Sequence, residues 1–162
     1  MITIKETTRN DLSNVQKLWA DGDVMKFVGF PEGLHETDEA MSRWLDRIAA
    51  ARPATNHFSV YDDAVYCGEA FYQIDVKHGS SAALDIKLFR FARGKGIAAA
   101  ALSHAIEEAF KNGAKKVWVD PNPENVKAIA LYERLGFERK PMPEYLMEDE
   151  GITSIYMELT QK

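Results

Sequence analysis

Two glycines and two cations stand together in the stretch Arg93-Gly94-Lys95-Gly96-Ile97-Ala98. Because glycine lacks a Cβ atom, this backbone can approach a ligand closely. The stretch leads into a helix-like run, whose first N–H groups have no partner within the helix and whose dipole is positive at that end. Arg93 and Lys95 add formal charge. The residues therefore predict a turn that binds a phosphate or pyrophosphate group, with a basic loop that merely caps a surface helix as the alternative.

The same glycines also satisfy a second nucleotide-binding pattern. Gly94-Lys95-Gly96-Ile97-Ala98-Ala99 matches Gly-x-Gly-x-x-Ala, and Asp120 ends the next predicted strand. A dinucleotide-binding domain usually opens with its strand-turn-helix unit and continues through several parallel units. The elements that precede the turn therefore decide between the two interpretations.

Hydrophobic spacing predicts the elements that must position the turn. Before the turn, these are a strand around Ile2 and Ile4, a helix carrying Leu12, Val15, Leu18 and Trp19 and capped by Asn10 or Asp11, a short helical segment over residues 24–28, a helix from Thr37 to Arg52-Pro53, and strands over residues 57–61, 66–75 and 82–88. After the turn, they are a helix closing at Asn112-Gly113, a strand over residues 116–120, a helix over residues 125–135, and two strands from Phe137 onward and over residues 153–160.

This order predicts a mixed α/β (α+β) sheet, β-α-α-β-β-β-α-β-α-β-β, in one domain over residues 1–162. The three strands before the turn are expected to form an antiparallel meander, which a dinucleotide-binding fold lacks. The connection from Leu88 to Val117 is long enough for a helical crossover, so these two strands should be parallel neighbours. Ligands of open α/β sheets bind beyond the carboxyl ends of such strands, where the glycine turn lies.

Composition limits the function classes. The net charge of −5 argues against a nucleic-acid partner and favours a cationic or neutral substrate. The single cysteine, Cys67, fits a reducing compartment, and residues 1–11 contain no apolar segment of signal-peptide type, so we expect a cytoplasmic protein without membrane insertion. His57 and His78 have no metal-ligand spacing to each other or to Cys67, so no metal site is predicted. The oligomeric state stays open, and a homodimer is compatible with the sequence.

Two motifs in this order resemble the GNAT N-acetyltransferase family. Residues 93–98 match that family's pyrophosphate-binding pattern, Arg or Gln, two residues, Gly, one residue, Gly or Ala. Residues 125–137, Asn-Val-Lys-Ala-Ile-Ala-Leu-Tyr-Glu-Arg-Leu-Gly-Phe, resemble its second motif, an Asn, an Ala, then Leu-Tyr-Glu-x-x-Gly-Phe. Both motifs occur in the family's order and spacing. The predicted element order is also the family's, so the resemblance covers nearly the whole chain.

The resemblance implies an acetyl-CoA-dependent transfer of an acetyl group to a primary amine of a small molecule or a protein N-terminus. It implies that the backbone of Arg93, Gly94, Lys95, Gly96, Ile97 and Ala98 holds the CoA pyrophosphate. It further implies that the backbone around Leu88 and Phe89 holds the acetyl carbonyl and the pantetheine amides, and that Asn125 contacts the cofactor. Tyr132 matches the tyrosine that protonates the departing thiolate, although its position on the apolar side of its helix also suits a packed core tyrosine.

An attacking amine must lose a proton, so a base or a chain of waters is required. Asp85 is the first candidate, because Leu84, Ile86 and Leu88 alternate on one strand face and Asp85 and Lys87 on the other. Its spacing to the glycine turn resembles the aminoglycoside branch of the family. The alternative is a solvated aspartate paired with Lys87 or Arg90. Glu69 and Asp75 are weaker candidates that could simply face solvent.

The acceptor amine is not determined by the sequence, which is compatible with an aminoglycoside-like or polyamine-like molecule. The acidic residues Glu144, Glu148, Asp149 and Glu150 could attract a cation or keep a loop solvated. Two other functions compete with the transferase. One is a noncatalytic CoA-binding module on the same fold, and the other, less favoured, is the dinucleotide-binding domain.

Overall fold

The computed structural model describes residues 1–147 and 154–161. These residues form seven strands and five α-helices, in the order β1 (Ile2–Glu6), α1 (Leu12–Trp19), α2 (Gly22–Met25), α3 (Asp38–Ala51), β2 (Thr55–Asp62), β3 (Val65–Asp75), β4 (Ser81–Leu88), α4 (Ile97–Lys111), β5 (Lys116–Val119), α5 (Val126–Arg134), β6 (Glu138–Arg139) and β7 (Met157–Thr160). Short 3-10 turns include Arg9–Asp11, Lys26–Val28, Val76–His78, Arg90–Ala92 and Glu144–Leu146.

One mixed sheet joins all seven strands in the order β1-β2-β3-β4-β5-β7-β6. Strands β1 to β4 form an antiparallel meander, and β4 and β5 run parallel. The predicted mixed sheet, its meander and its central parallel pair are thus confirmed. The last predicted strand is shorter than expected, since β7 begins at Met157, and Thr153 lies outside the described residues.

Strands β4 and β5 diverge after three pairs of residues. Their register joins Ser81 to Lys116, Ala82 to Val117 and Ala83 to Trp118. Beyond Ala83, β4 continues to Leu88 with β3 as its partner on the other edge, so the edge that faces β5 is left without a ladder. The divergence opens a cleft at the carboxyl ends of the two parallel strands, where such sheets bind their ligands.

Helices cover both faces of the sheet. On one face, α4 and α5 pack on the main core, whose completely buried members include Val60, Tyr72, Ala82, Leu102 and Val117. On the other face, α1 to α3 enclose a second cluster that includes Val15, Leu18, Met41 and Tyr66. Trp19 and Trp44 meet edge to face with ring centroids 4.9 Å apart, so the two indoles pack α1 against α3. Cys67 is a buried residue of β3.

The predicted helix starts are only partly correct. Thr37 caps α3, as predicted, by accepting a hydrogen bond from the Ala40 N–H at 3.1 Å. Asp11 precedes α1 but does not cap it, because its carboxylate accepts the Thr8 N–H at 2.8 Å and is bound by Lys5 at 2.9 Å. The Tyr61 hydroxyl also donates to Asp11 at 2.6 Å, so this buried carboxylate is used to join β1 and β2 to the start of α1.

The helices of the described residues are too short or too polar for membrane crossing. Among residues 1–147 and 154–161, no helix combines the length and the apolar character that a bilayer requires.

Candidate active site

The glycine turn lies at the open end of the cleft and directly precedes α4. Gly94 and Gly96 have φ angles of 76° and 80°, a left-handed conformation that favours glycine. The first N–H to bond within α4 is that of Ala100, which donates to the Gly96 carbonyl at 3.2 Å. The N–H groups before it, those of residues 97–99, lie at the positive end of the helix dipole. The turn therefore has the donors and the free space that a pyrophosphate group requires.

The Arg93 side chain has partners of its own. Its Nε and Nη2 atoms donate to the Leu88 carbonyl oxygen at 3.2 Å and 3.0 Å, and its Nη1 donates to Asp23 at 2.9 Å. Burial opposes ionisation of the Asp23 carboxyl, but Arg93, Lys26 and Arg90 together outweigh it and lower the pKa of Asp23. Arg93 thus ties the turn to the end of β4 and to α2, a contact that sequence spacing did not predict.

Asn125 borders the opposite wall of the cleft at the start of α5. Its Oδ1 atom accepts the Ala128 N–H at 3.3 Å and so caps the helix. The side-chain amide group keeps its N–H donors, which remain suited to the cofactor contact that the family resemblance implies.

Tyr132 projects from α5 into the protein beside Phe137, with ring centroids 5.6 Å apart, and is only 6% exposed. The structure shows no hydrogen-bond partner for its hydroxyl within residues 1–147 and 154–161. Burial raises the pKa of Tyr132, and the negative charges of Asp85 and Asp120 raise it further. The phenol is therefore held protonated, with Asp85 on β4 near enough to act on it electrostatically.

Asp85 lies on the part of β4 that has separated from β5, beyond Ala83. Its carboxylate contacts the Lys87 ammonium and accepts the Ile86 N–H at 3.0 Å. The Asp85 side chain is 40% exposed and can be reached by a ligand. The ion pair with Lys87 is the pairing that the sequence allowed as the alternative to a base.

Glu69 on β3 is buried, so the expectation that it could face solvent is wrong. Its Oε1 atom accepts the Trp19 indole N–H at 2.5 Å and lies 3.3 Å from His57 Nε2, and its Oε2 atom lies 3.9 Å from Lys87 Nζ. Burial would raise the pKa of Glu69, but His57, Lys87 and the Trp19 hydrogen bond lower it to about 2. Such a carboxylate is a poor acceptor for a substrate proton.

Asp75, the other weaker candidate, lies far from Asp85. It pairs with Ser81 in the register of β3 and β4, four residues before Asp85 and hence roughly 13 Å along the strand. His78 Nδ1 lies 2.7 Å from its carboxylate, and the Lys77 N–H donates to it at 3.0 Å. The structure therefore does not bring Asp75 together with Asp85.

A groove of about 400 Å³ opens on the sheet face opposite α4. Its lining includes Gln73, Asp75, Ala83, Trp118 and Tyr145. Ala83 and Trp118 form the last residue pair before β4 and β5 diverge, so the groove reaches the apex of the cleft. Tyr145 presents one ring face to His78, at 3.8 Å between centroids. We call this feature the acceptor groove, because it leads to the cleft from the side away from α4.

The sequence analysis did not identify the groove residues. Trp118 could have been found, because it alternates with the buried Val117 and Val119 and so had to lie on the opposite sheet face. Tyr145 carries no such pattern. Of the predicted acidic loop, Glu144 begins a 3-10 turn, whereas Glu148, Asp149 and Glu150 lie outside the described residues. Within the described part of the chain, no group of His, Cys, Asp and Glu side chains could hold a metal ion.

Comparison with known proteins is consistent with these features. A family model described as the acetyltransferase (GNAT) domain matches residues 2–138. The ribosomal protein bS18-alanine N-acetyltransferase of Escherichia coli is 44% identical over 43 residues, which are 26% of this chain and 29% of that protein. The aminoglycoside N(6')-acetyltransferase type 1 of Klebsiella pneumoniae is 20% identical over 150 residues, covering 86% of this chain and 75% of the relative.

Among solved structures, the spermidine N-acetyltransferase from Vibrio cholerae in complex with CoA and spermine has the same fold. It superposes with a TM-score of 0.80 at 22% identity, over 99% of this chain and 95% of that chain. The match to the first curated relatives, in contrast, spans less than a third of their length.

Proposed function

Because this chain belongs to the GNAT acetyltransferase family, we propose that it moves the acetyl group of acetyl-CoA directly onto a primary amine. The observation that carries the proposal is the placement of Tyr132 and Asp85. They lie on α5 and β4, the two walls of a cleft that begins at an anion-binding glycine turn, and Asp85 is close enough to raise the pKa of Tyr132. We assign the proton donor to Tyr132 and the proton acceptor to Asp85.

The cleft fits the donor substrate. The outward N–H groups at the start of α4 suit the pyrophosphate. The edge of β4 that has no strand partner, residues 84–88, can bind the pantetheine amides through backbone hydrogen bonds, in the way that a sheet edge binds an added strand. Asn125 has amide donors on the opposite wall. When bound, acetyl-CoA supplies an acetyl thioester, whose carbonyl carbon bonds to the amine while its C–S bond breaks.

The acceptor ammonium loses two protons on the way to the amide, and the departing sulfur gains one. A protonated amine has no lone pair, so Asp85 accepts one proton from the acceptor nitrogen, directly or through a water. Tyr132 gives its hydroxyl proton to the departing sulfur and regains a proton from the second N–H that the nitrogen loses as the amide forms, while Asp85 passes the first proton to solvent. Since the raised pKa of Tyr132 keeps the phenol protonated, the donor is available throughout the neutral range. The products are the acetylated amine, the CoA thiol and one proton released to solvent.

The acceptor reaches the cleft through the acceptor groove. A volume of about 400 Å³ suits a small molecule or the first residues of a peptide. Aromatic walls and one carboxylate suit a ligand that combines a carbon skeleton with cationic amines. We therefore propose a small-molecule amine, polyamine-like or aminoglycoside-like, with a protein N-terminus as the second candidate because of the partial match to the ribosomal-protein acetyltransferase.

The deciding experiment is a screen of CoA thiol release with acetyl-CoA and a panel of aminoglycosides, polyamines, amino acids and N-terminal peptides. Release above background with one acceptor class supports the transferase. A protein that binds acetyl-CoA but releases no thiol across the panel is instead a noncatalytic CoA-binding module. Thermal protection by NAD or NADP but not by acetyl-CoA would favour the dinucleotide-binding alternative, which the antiparallel meander before the turn already disfavours.

A further inference from the structure

Two carboxylates share one ammonium on strands β3 and β4, which also contribute to the acceptor groove. Lys87 contacts Asp85 on its own strand, and its Nζ atom lies 3.9 Å from Glu69 Oε2 on the neighbouring strand. The register of β3 and β4 places Glu69 directly opposite Lys87. We call Glu69, Lys87 and Asp85 the charge cluster. It occupies the sheet face that carries the acceptor groove.

The three groups of the charge cluster differ in their freedom to move. Glu69 is 4% exposed and is held from behind by the Trp19 indole N–H at 2.5 Å and by His57 at 3.3 Å. Asp85 is 40% exposed and borders the cleft. Lys87, with a flexible four-carbon side chain between them, can shift from one carboxylate to the other without leaving the cluster.

Glu69, Lys87 and Asp85 together carry one negative charge in excess, and His57, whose Nε2 atom lies 3.3 Å from Glu69, is the neighbouring group that adds a positive charge only when it is protonated. Burial alone would lower the pKa of Lys87, but the charges of Asp85 and Glu69 raise it, so the ammonium persists. The pKa of Glu69 is held low, so its carboxylate also persists. Two anions and one cation therefore remain in a partly dry site, where the excess charge attracts a further cation more strongly than in water.

We propose that Glu69 is a positioning residue that takes Lys87 from Asp85 when a protonated amine binds, so that Asp85 becomes free for the acceptor. In the ligand-free structure, the Lys87 ammonium contacts Asp85 at the place where an acceptor ammonium is expected to bind. Arrival of the acceptor completes the charge balance, since Lys87 then pairs with Glu69 and the acceptor pairs with Asp85. The inference rests on the proposed function.

The exchange has a consequence for the class of acceptor. An amine that is protonated at neutral pH supplies the missing positive charge. An amine that is uncharged at this pH leaves Lys87 on Asp85 and gains nothing from the cluster. The charge cluster therefore selects basic amines over weakly basic ones, even when the two have the same carbon skeleton.

The test compares the binding of two matched probes to the enzyme in the presence of CoA. Benzylamine is protonated at neutral pH and aniline is not, and both present a single aromatic ring to the groove. Calorimetry measures their affinities for the wild type, Glu69→Gln, Lys87→Met and the double variant. Gln at position 69 keeps an oxygen for the Trp19 N–H. Glu107→Gln on the exposed face of α4 is the matched control, and CoA affinity reports correct folding.

The expected pattern follows from the charges. Glu69→Gln makes the cluster neutral and weakens benzylamine binding by about tenfold or more, whereas aniline binding is unchanged. Lys87→Met binds benzylamine no more weakly than the wild type, because Asp85 is already free. The double variant restores the excess negative charge and recovers benzylamine affinity to within about threefold of the wild type, a difference of less than 1 kcal/mol.

The proposal is overturned if the wild type shows no preference for benzylamine over aniline, or if Lys87→Met weakens benzylamine binding. It is also overturned if the double variant binds as weakly as Glu69→Gln, since a purely structural Glu69 would not be rescued by a second change. Thiol release is recorded separately. The expected binding pattern without thiol release from any amine would reject the transferase function while retaining the cation exchange.

Discussion

The Arg93 guanidinium binds the Leu88 carbonyl oxygen through both Nε and Nη2, at 3.2 Å and 3.0 Å. Leu88 is the last residue of β4, and Arg93 begins the glycine turn, so one side chain joins the strand edge proposed for pantetheine to the loop proposed for pyrophosphate. The remaining nitrogen of the guanidinium, Nη1, donates to the carboxylate of Asp23 in α2 at 2.9 Å. The two halves of the proposed donor site are therefore held at a fixed spacing in the ligand-free protein.

Loss of this contact should weaken acetyl-CoA binding. Arg93→Gln removes a charge and leaves the Leu88 carbonyl without its donors, so we expect acetyl-CoA affinity to fall about tenfold or more, with charge-assisted hydrogen bonds each worth ~1.5–3 kcal/mol. Calorimetric titration with acetyl-CoA checks this. Asp23→Asn is the matched control, because it removes only the exposed ion pair and should change affinity by less than about threefold. Equal losses in both variants would show that the link to α2, not the link to β4, is what matters.

Tyr132→Phe should lower kcat and leave acetyl-CoA affinity unchanged. Removing the hydroxyl deletes the proposed hydrogen bond to the departing sulfur, and proton donors of this kind contribute about 10²-fold or more to the rate. Because the hydroxyl has no partner among the described residues, the packing against Phe137 stays intact and the melting temperature should not fall. Turnover equal to that of the wild type would assign Tyr132 to the core alone.

Asp85→Asn should impair the enzyme most at low pH. If Asp85 takes the acceptor's proton, the variant depends on amine molecules that are already unprotonated. Below the amine pKa, the unprotonated fraction falls tenfold for each unit by which the pH is lowered. We therefore expect a loss of about 10²-fold in kcat/KM near pH 6 that narrows toward pH 9. A pH–rate profile of both proteins measures it. Profiles that run parallel would mean that a water chain or another group removes the proton.

The elements of the site followed from local sequence patterns. Alternation of apolar residues located β4 and placed Asp85 and Lys87 on the same face, and the glycines at 94 and 96 located the turn that needs left-handed backbone. Thr37 marked the start of α3 by its capping side chain. In each case the conformation depends on residues only a few positions away in the chain, and a sequence pattern can show interactions over that distance.

Contacts between distant segments did not follow from those patterns. Glu69 reads as an exposed strand residue, yet it is buried: its Oε1 atom accepts the indole N–H of Trp19 of α1, and His57 of β2 lies 3.3 Å from the same oxygen. Asp11 reads as a helix cap, but Tyr61 binds it from 50 positions away. Both carboxylates are buried beside partners that only the tertiary fold brings together. Their burial could therefore not be predicted from the sequence, because the sequence does not show which partners surround them.

Filling the acceptor groove should weaken binding of the acceptor amine without changing binding of acetyl-CoA. Ala83 lines the groove at the apex of the cleft, so Ala83→Phe should raise the acceptor KM about tenfold or more while acetyl-CoA affinity stays the same, because the donor enters from the glycine turn. Steady-state kinetics with the amine found in the screen provides the measurement. Ala83→Ser, which adds a single oxygen atom, is the control and should leave the KM close to that of the wild type. A parallel loss of acetyl-CoA affinity would mean that the groove is part of the donor site.

Glu69 should also make the stability of the fold sensitive to acid. Its carboxyl has an ordinary pKa in the unfolded chain and a pKa of about 2 in the fold, so the unfolded state binds more protons in this interval. Stability contributed by Glu69 is therefore complete above about pH 5 and is lost as the pH falls toward 2, at on the order of 1.4 kcal/mol per unit of pKa difference. Urea unfolding of the wild type and Glu69→Gln across this range measures the difference.

Other carboxylates with lowered pKa values, such as Asp11 and Asp23, are present in both proteins, so subtracting one unfolding curve from the other isolates Glu69. We expect the free energies of unfolding of the wild type and of Glu69→Gln to converge as the pH falls, because protonation turns Glu69 into a neutral group like the glutamine. A gap between the two proteins that stays constant from pH 5 to pH 2.5 would mean that Glu69 is not ionised in the fold. The charge cluster would then lack the excess negative charge on which the exchange with Lys87 depends.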